Sequence, residues 1–188
     1  MLTSPRPALL LSLAVALAVS GVAPAAEPPP GFTSLFNGKD FTGWTVPAGD
    51  GGHWKVLDGV IDYDAQSQAP GDDKNLWSVG EYGDFVLKVE WRLKDTPFIN
   101  PNVPIIRYDG THKKGPDGKE IKLSVPDSDS GIFVRGSSKS QVNIWCWPIG
   151  SGEVYGVRMD PKTPADLRAA VTPRTQADNP IGEWNHFE

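Results

Sequence analysis

Regular alternation of apolar and polar side chains marks residues 84–93 more clearly than any other part of the chain. Phe85, Leu87, Val89, Trp91 and Leu93 occupy every second position. The positions between them include Lys88, Glu90 and Arg92. A period of two over nine residues predicts a β-strand with one face in a core and one polar face.

A second alternating stretch runs over residues 141–147. Its apolar positions are Val142, Ile144 and Cys146. The opposite positions are Gln141, Asn143, Trp145 and Trp147. Residues 131–135 precede this stretch, and we expect them to form a short strand that adds Phe133 and Arg135 to the same polar face.

Turn signals divide much of the remaining chain into short strands. Asp58-Gly59 stands between 53–56 and 60–63, a strong hairpin pattern. Further short strands are predicted at 32–36, 75–78, 150–155 and 182–188. Twenty glycines, 18 prolines and seven tryptophans favour turns and strands over helices. The pattern predicts an all-β fold, an antiparallel β-sandwich or jelly roll over residues 32–188.

Two long polar segments interrupt this pattern. Residues 94–130 are rich in proline, glycine and charge, and we interpret them as a surface insertion. Residues 160–182 form a second polar loop, with a helical turn predicted near 166–170. The sequence stops just as 182–188 begins a strand, so we expect the domain to continue beyond Glu188 and to be incomplete here.

The first 26 residues have the order of a secretory signal peptide. Arg6 precedes an apolar run at 9–19, and Ala23-Pro24-Ala25 offers small residues before a cleavage point. The alternative, an uncleaved anchor, needs about 20 apolar residues to cross a bilayer. We expect export to the periplasm or medium, no membrane association after cleavage, and a proline-rich linker at 27–31.

The net charge and the cysteine content argue against some classes of function. The net charge is −5 and no basic block is present, so we expect no nucleic-acid partner. The single cysteine, Cys146, cannot form an internal disulfide, and we expect a small buried residue there. The alternative, a catalytic thiol, lacks a recognisable histidine pattern.

Metal and cofactor sites have little support in the sequence. The three histidines, His53, His112 and His186, lack the spacing of zinc ligands. Asp127-x-Asp129-x-Gly131 resembles the start of a calcium loop but lacks the later glutamate. We therefore predict no metal and no cofactor.

The polar face of the predicted sheet is the candidate site. Carboxylates and amides bind pairs of sugar hydroxyls, and aromatic rings cover the C–H faces of a sugar. The face carries both kinds of group: Lys88, Glu90, Arg92, Arg135, Gln141, Asn143 and Trp145. The alternative is a solvated sheet face with ordinary ion pairs. A carbohydrate is the partner that these residues indicate.

Several pieces of the chain together match a known family pattern: 31–40 with Gly43-Trp44, 54–61, 82–92, 129–135, 150–156 and 182–185. On these pieces the chain resembles the 3-keto-disaccharide hydrolase domain family. The resemblance covers nearly all of the chain after residue 30. The resemblance implies a concanavalin A-like jelly roll and hydrolysis of glycosides whose C3 hydroxyl has been oxidised to a ketone.

The chain departs from the family pattern at two sites. Asp129-Ser130-Gly131-Ile132 stands where members usually have Asn-Ser-Gly-Ile. Gln141-Val142-Asn143-Ile144 stands where they usually have Glu-Val-Gln-Ile. Gln141 therefore replaces a family carboxylate, and an amide cannot act as acid or base.

The activity that the resemblance implies suggests a role for each candidate. A ketone at C3 makes the C2 proton acidic, so a base can start an elimination that expels the C1 substituent, after which water adds. We assign Glu90 as the base and Arg135 to the enolate oxygen, with Arg92 or Lys88 second. Gln141 and Asn143 would bind hydroxyls, and Trp145 would stack on the sugar.

Two other functions fit the same fold. Loss of the family carboxylate at Gln141 favours a non-catalytic, lectin-like carbohydrate-binding module. An exported structural or interaction domain is the third possibility.

Overall fold

The computed structural model describes residues 27–71 and 73–188. The predicted signal peptide, residues 1–26, lies outside this range. Among the described residues, no helix combines the length and apolar character that spanning a bilayer requires. Contacts within the chain divide it into two compact units, Met1–Glu81 and Tyr82–Glu188.

The prediction of an all-β fold is confirmed. Most regular structure in the described ranges is short antiparallel strands in two-stranded ladders, with two short α-helices. The strands are β1 Trp44–Thr45, β2 Trp54–Leu57, β3 Val60–Tyr63, β4 Trp77–Ser78, β5 Val89–Trp91, β6 Ile99–Pro104, β7 Lys122–Pro126, β8 Asp129–Phe133, β9 Gln141–Trp145 and β10 Asn185–Phe187. The helices are α1 Tyr155–Arg158 and α2 Ala165–Ala170.

The first unit contains the predicted hairpin. Strands β2 and β3 pair antiparallel, and Asp58 and Gly59 both have positive φ, 51° and 78°, as the tight turn between them requires. Trp54 lies opposite Tyr63, and their rings stack with centroids 4.1 Å apart. Residues 32–36, predicted as a strand, have no regular structure because no partner strand pairs with them in the described part of the unit.

The second unit contains three ladders: β5 with β10, β6 with β7, and β8 with β9. Strand β5 is shorter than the alternation predicts, since Phe85 and Val86 are both exposed and unpaired. The predicted helical turn near 166–170 is confirmed as α2. Residues 150–155, predicted as a strand, form only an isolated bridge to β9 between Val142 and Val154, because α1 begins at Tyr155.

The segment interpreted as a polar insertion has more structure than its composition suggests. Residues 99–126 form a long hairpin, with β6 and β7 at its base and further bridges such as Ile106 to His112. Val103 is fully buried, and Ile106 packs in a core cluster with Trp145 and Ile149. A few apolar side chains therefore attach this hairpin to the rest of the unit.

That packing changes the expected polar face of β9. Asn143 and Trp145 are each only 2% exposed, so the side of β9 expected to face solvent is covered. Ile106 of the hairpin packs in the cluster with Trp145, and Tyr155 of α1 meets the Trp145 ring edge-on, with centroids 6.4 Å apart. Alternation alone identifies the two faces of a strand but cannot show which elements cover them.

Candidate active site

The strand pair β5–β10 presents the polar face that the alternation predicts. Lys88, Glu90 and Arg92 are all exposed, and each meets a residue of the last strand region. The Lys88 ammonium lies 3.2 Å from a Glu188 carboxylate oxygen. The Arg92 guanidinium lies over the Trp184 ring, 4.8 Å from its centroid. Exposed contacts of this kind contribute about 0–1 kcal/mol each, so their main effect is to orient the side chains.

Between these two contacts lies the pair formed by Glu90 and His186. The two residues stand directly opposite each other in the antiparallel register, and both are exposed. Opposed residues in an antiparallel pair project to the same side of the sheet. Neither side chain has a hydrogen bond or ion pair to another described residue. The carboxylate and the imidazole are therefore both available to a ligand.

Two adjoining clefts lie beside this strand pair. The first, the Glu90 cleft, has a volume of about 390 Å³ and includes Glu90, Trp184 and His186 in its walls. The second, the Trp147 cleft, has a volume of about 300 Å³ and includes Trp145 and Trp147. The two clefts share four lining residues: Trp91, Asp178, Asn179 and Asn185. The two clefts therefore adjoin each other at these four residues of the second unit.

The loop before β10 forms a wall of both clefts and is fixed by polar contacts. The Oδ2 atom of Asp178 accepts hydrogen bonds from the backbone N–H and the hydroxyl of Ser151, both at 2.9 Å. The backbone N–H of Asn179 donates to Asn185 Oδ1, and its side-chain amide donates to the Trp184 carbonyl, both at 2.7 Å. Asp178 and Asn179 could not be predicted as site residues from the sequence, because they lie in a polar loop without periodicity.

Trp91 lies on the apolar face of β5 and lines both clefts. It is 8% exposed, and its ring packs at a tilt against Phe187, with centroids 5.2 Å apart. Its indole N–H is shielded from solvent and has no hydrogen-bond partner among the described residues. A buried donor without an acceptor costs about 1–3 kcal/mol.

Three predicted binding residues lie on β9, away from the Glu90 cleft. The Gln141 side chain crosses Gly131 and donates to the Ser130 carbonyl at 3.1 Å, and Asn143 is buried. Trp145 donates its indole N–H to the Gly150 carbonyl at 2.6 Å. Of the three, Trp145 alone lines a cleft described above, the Trp147 cleft.

Arg135 shares no contact with Glu90. Its guanidinium is 3.2 Å from the Asp84 carboxylate, and both side chains are strongly exposed. Arg135 also has a positive φ of 58°, which is uncommon for a residue with a side chain. Neither cleft includes Arg135 in its lining, whereas Arg92 contacts Trp184 in the wall of the Glu90 cleft.

A buried ion pair lies beneath β9. Glu153 is fully buried, and its Oε2 atom accepts from Arg158 Nε at 2.5 Å. The same guanidinium reaches His112 Nε2 at 3.2 Å, and His112 Nδ1 contacts Glu120 at 2.9 Å. Burial raises the pKa of Glu153 although Arg158 opposes that shift. These four residues join the hairpin to α1 and line neither cleft.

The surroundings of Asp127 and Cys146 bear on the two alternatives from the sequence, a calcium loop and a catalytic thiol. Asp127 accepts from the Trp147 indole at 2.8 Å and from the Asn100 amide at 2.7 Å. Among the described residues, no three His, Cys, Asp or Glu side chains are grouped to hold a metal ion. Burial raises the pKa of the Cys146 thiol, which disfavours the reactive thiolate.

Comparison with known proteins gives one match. The model of the family described as 3-keto-alpha-glucoside-1,2-lyase-like domain matches residues 31–188, which is most of the chain. Searches of curated proteins and of solved structures return no match.

Proposed function

The chain belongs to the 3-keto-alpha-glucoside-1,2-lyase-like domain family, and from this premise we propose that it cleaves 3-keto-glycosides by elimination, with Glu90 as the base. The family assignment supports a carbohydrate-acting function in general. The observation that carries the finer proposal is Glu90, an exposed carboxylate in the wall of a cleft that also contains tryptophan rings and side-chain amides.

The proposed reaction starts at C2 of the sugar that bears the ketone. The Glu90 carboxylate removes the C2 proton, and the electron pair moves to the C3 oxygen to form an enolate. The pair then returns, a C1–C2 double bond forms, and the bond from C1 to the leaving oxygen breaks. Addition of water to the unsaturated product completes the hydrolysis. A positioned base contributes about 10²–10⁴-fold to such a step.

The enolate oxygen needs a positive or hydrogen-bonding partner. Lys88 and Arg92 stand two positions from Glu90 on the same strand face, about 7 Å along the strand. Arg92 is the better candidate, since it stacks on Trp184 in the cleft wall and keeps its N–H groups available. We assign it this role ahead of Arg135, which is paired with Asp84 and lines neither cleft.

The shared region of the two clefts suits sugar binding. Asn179 lies in its wall, and its side-chain Oδ1 atom has no hydrogen-bond partner among the described residues, so it can accept from a sugar hydroxyl. Export is part of the same proposal and rests on the apolar run at 9–19 and the small residues that follow it.

The test compares a 3-keto-disaccharide with the same disaccharide before oxidation. We expect the protein to release a free sugar from the keto form alone, because only that substrate has an acidic C2 proton. Glu90→Gln should reduce the rate at least 100-fold. Glu183→Gln is the matched control, since Glu183 is an exposed carboxylate that lines neither cleft.

Two results would contradict the proposal. Full activity of Glu90→Gln would remove Glu90 from the mechanism. Binding of both sugars by the unaltered protein without any cleavage would instead support the non-catalytic carbohydrate-binding module.

A further inference from the structure

The proposed elimination leaves one chemical requirement without a residue. A sugar alkoxide is a poor leaving group, so its departure is accelerated by a proton donor placed next to the C1 oxygen. The donor must stand close to the base, because the C2 proton and the C1 oxygen are on adjacent carbons. A proton-bearing side chain beside Glu90 in the same cleft would meet this requirement.

The cross-strand contacts of β5–β10 single out one pair. Lys88 is engaged by Glu188, and Arg92 by Trp184, on either side of Glu90. The central pair, Glu90 and His186, has no such contact between its side chains, and both residues line the Glu90 cleft. The backbone ladder holds the strands in register, the flanking contacts orient the outer side chains, and the carboxylate and imidazole between them remain open to a ligand.

We propose that His186 is the general acid that protonates the leaving oxygen. This assignment rests on the function proposed above, because it completes that reaction. Histidine changes its protonation near neutral pH, so it can donate a proton under ordinary conditions. Opposed residues in a ladder have Cβ atoms about 5 Å apart. That spacing suits two groups acting on neighbouring carbons of one sugar ring.

The step balances without any further reactant. Glu90 accepts the proton from C2, and the enolate pair forms the C1–C2 double bond while the C1–O bond breaks. The imidazolium of His186 gives its proton to the departing oxygen, which leaves as a neutral sugar hydroxyl. Asp178, the other acid of the cleft, is less suitable because both Ser151 donors occupy its Oδ2 atom.

Leaving-group dependence tests the assignment. Two substrates are needed: a 3-keto-disaccharide and the 4-nitrophenyl 3-keto-glucoside, whose phenolate departs without protonation. We expect His186→Gln to lose at least 100-fold in kcat/KM on the disaccharide and less than about threefold on the nitrophenyl substrate. His53→Gln, a histidine change in the first unit, should leave both rates unchanged.

Each other outcome overturns the proposal. Equal losses on the two substrates, with native tryptophan fluorescence, would show that His186 shapes the cleft. An unchanged rate on the disaccharide would exclude a catalytic role. The unaltered protein gives a second measurement that does not depend on a variant folding: a steep fall in rate along a series of increasingly basic phenol leaving groups would also overturn it.

Failure of the proposed function would give a different result in these assays from failure of the His186 assignment alone. In that case the unaltered protein would cleave neither keto-substrate, and the assignment of His186 would fall with it. Turnover of both substrates that is lost in Glu90→Gln, with no leaving-group effect in His186→Gln, would preserve the function and reject only the acid.

Discussion

Replacing Arg158 with methionine probes the buried ion pair beneath β9. Glu153 is fully buried and Arg158 is 4% exposed, so neither charge has compensating solvent. The Oε2 atom of Glu153 is bound by Arg158, whereas its Oε1 atom has no hydrogen-bond partner among the described residues. Arg158→Met keeps most of the side-chain volume and leaves Glu153 buried without its cation.

The free energy of unfolding lost in Arg158→Met depends on pH, and the protonation of Glu153 sets the direction of that dependence. Removing one partner of a buried pair costs about 3–5 kcal/mol when the other stays charged. Burial already raises the pKa of Glu153 above its ordinary value of 4.5, and loss of Arg158 removes the interaction that opposes this shift. Because the pKa of Glu153 is higher in the folded state than in the unfolded state, proton binding by Glu153 stabilises the fold. This contribution is complete below pH 4.5 and is lost as pH rises through the folded-state pKa. The dependence can reach about 1.4 kcal/mol per pH unit.

Urea denaturation followed by tryptophan fluorescence measures the effect at pH 5 and pH 8. We expect Arg158→Met to lose less free energy of unfolding at pH 5, where Glu153 can bind a proton, than at pH 8. The double variant Glu153→Gln with Arg158→Met should show a smaller difference between the two pH values. Both variants retain His112, which contacts Arg158 in the unaltered protein. Equal losses by Arg158→Met at both pH values would refute the reasoning.

Two further predictions concern local packing and charge. Gly131→Ala should destabilise the protein by about 1–3 kcal/mol in urea denaturation, because a Cβ atom there would lie 2.6 Å from Gln141 Nε2 and 2.7 Å from the Val142 carbonyl oxygen; an unchanged midpoint would contradict this. Hydrogen bonding to His53 lowers the pKa of Asp64 to about 2, so stability from this pair should be lost as pH falls from 3.8 through 2. An NMR titration should show a higher Asp64 pKa in His53→Ala, and an unchanged value would reject the cause.

Local sequence patterns predicted the features that depend on neighbouring residues. Alternation placed Lys88, Glu90 and Arg92 on one exposed face because side-chain direction reverses at every strand residue. Asp58-Gly59 predicted the first hairpin because both residues tolerate positive φ. These features need no information about distant parts of the chain.

Features that depend on long-range packing could not be predicted in this way. Asn143 and Trp145 have the alternation of a polar face, yet the distant hairpin and α1 help to cover that face. Asp178 joins the site because Ser151, 27 residues earlier, binds its carboxylate. Neither relation leaves a periodic signal in the sequence.

The two hydrogen bonds from Asn179 to Trp184 and Asn185 have a mechanical consequence. They tie the loop that forms one cleft wall to Asn185 and Trp184, on the segment that carries His186. Displacement of the loop must therefore break these two bonds or move the segment that carries His186 with it.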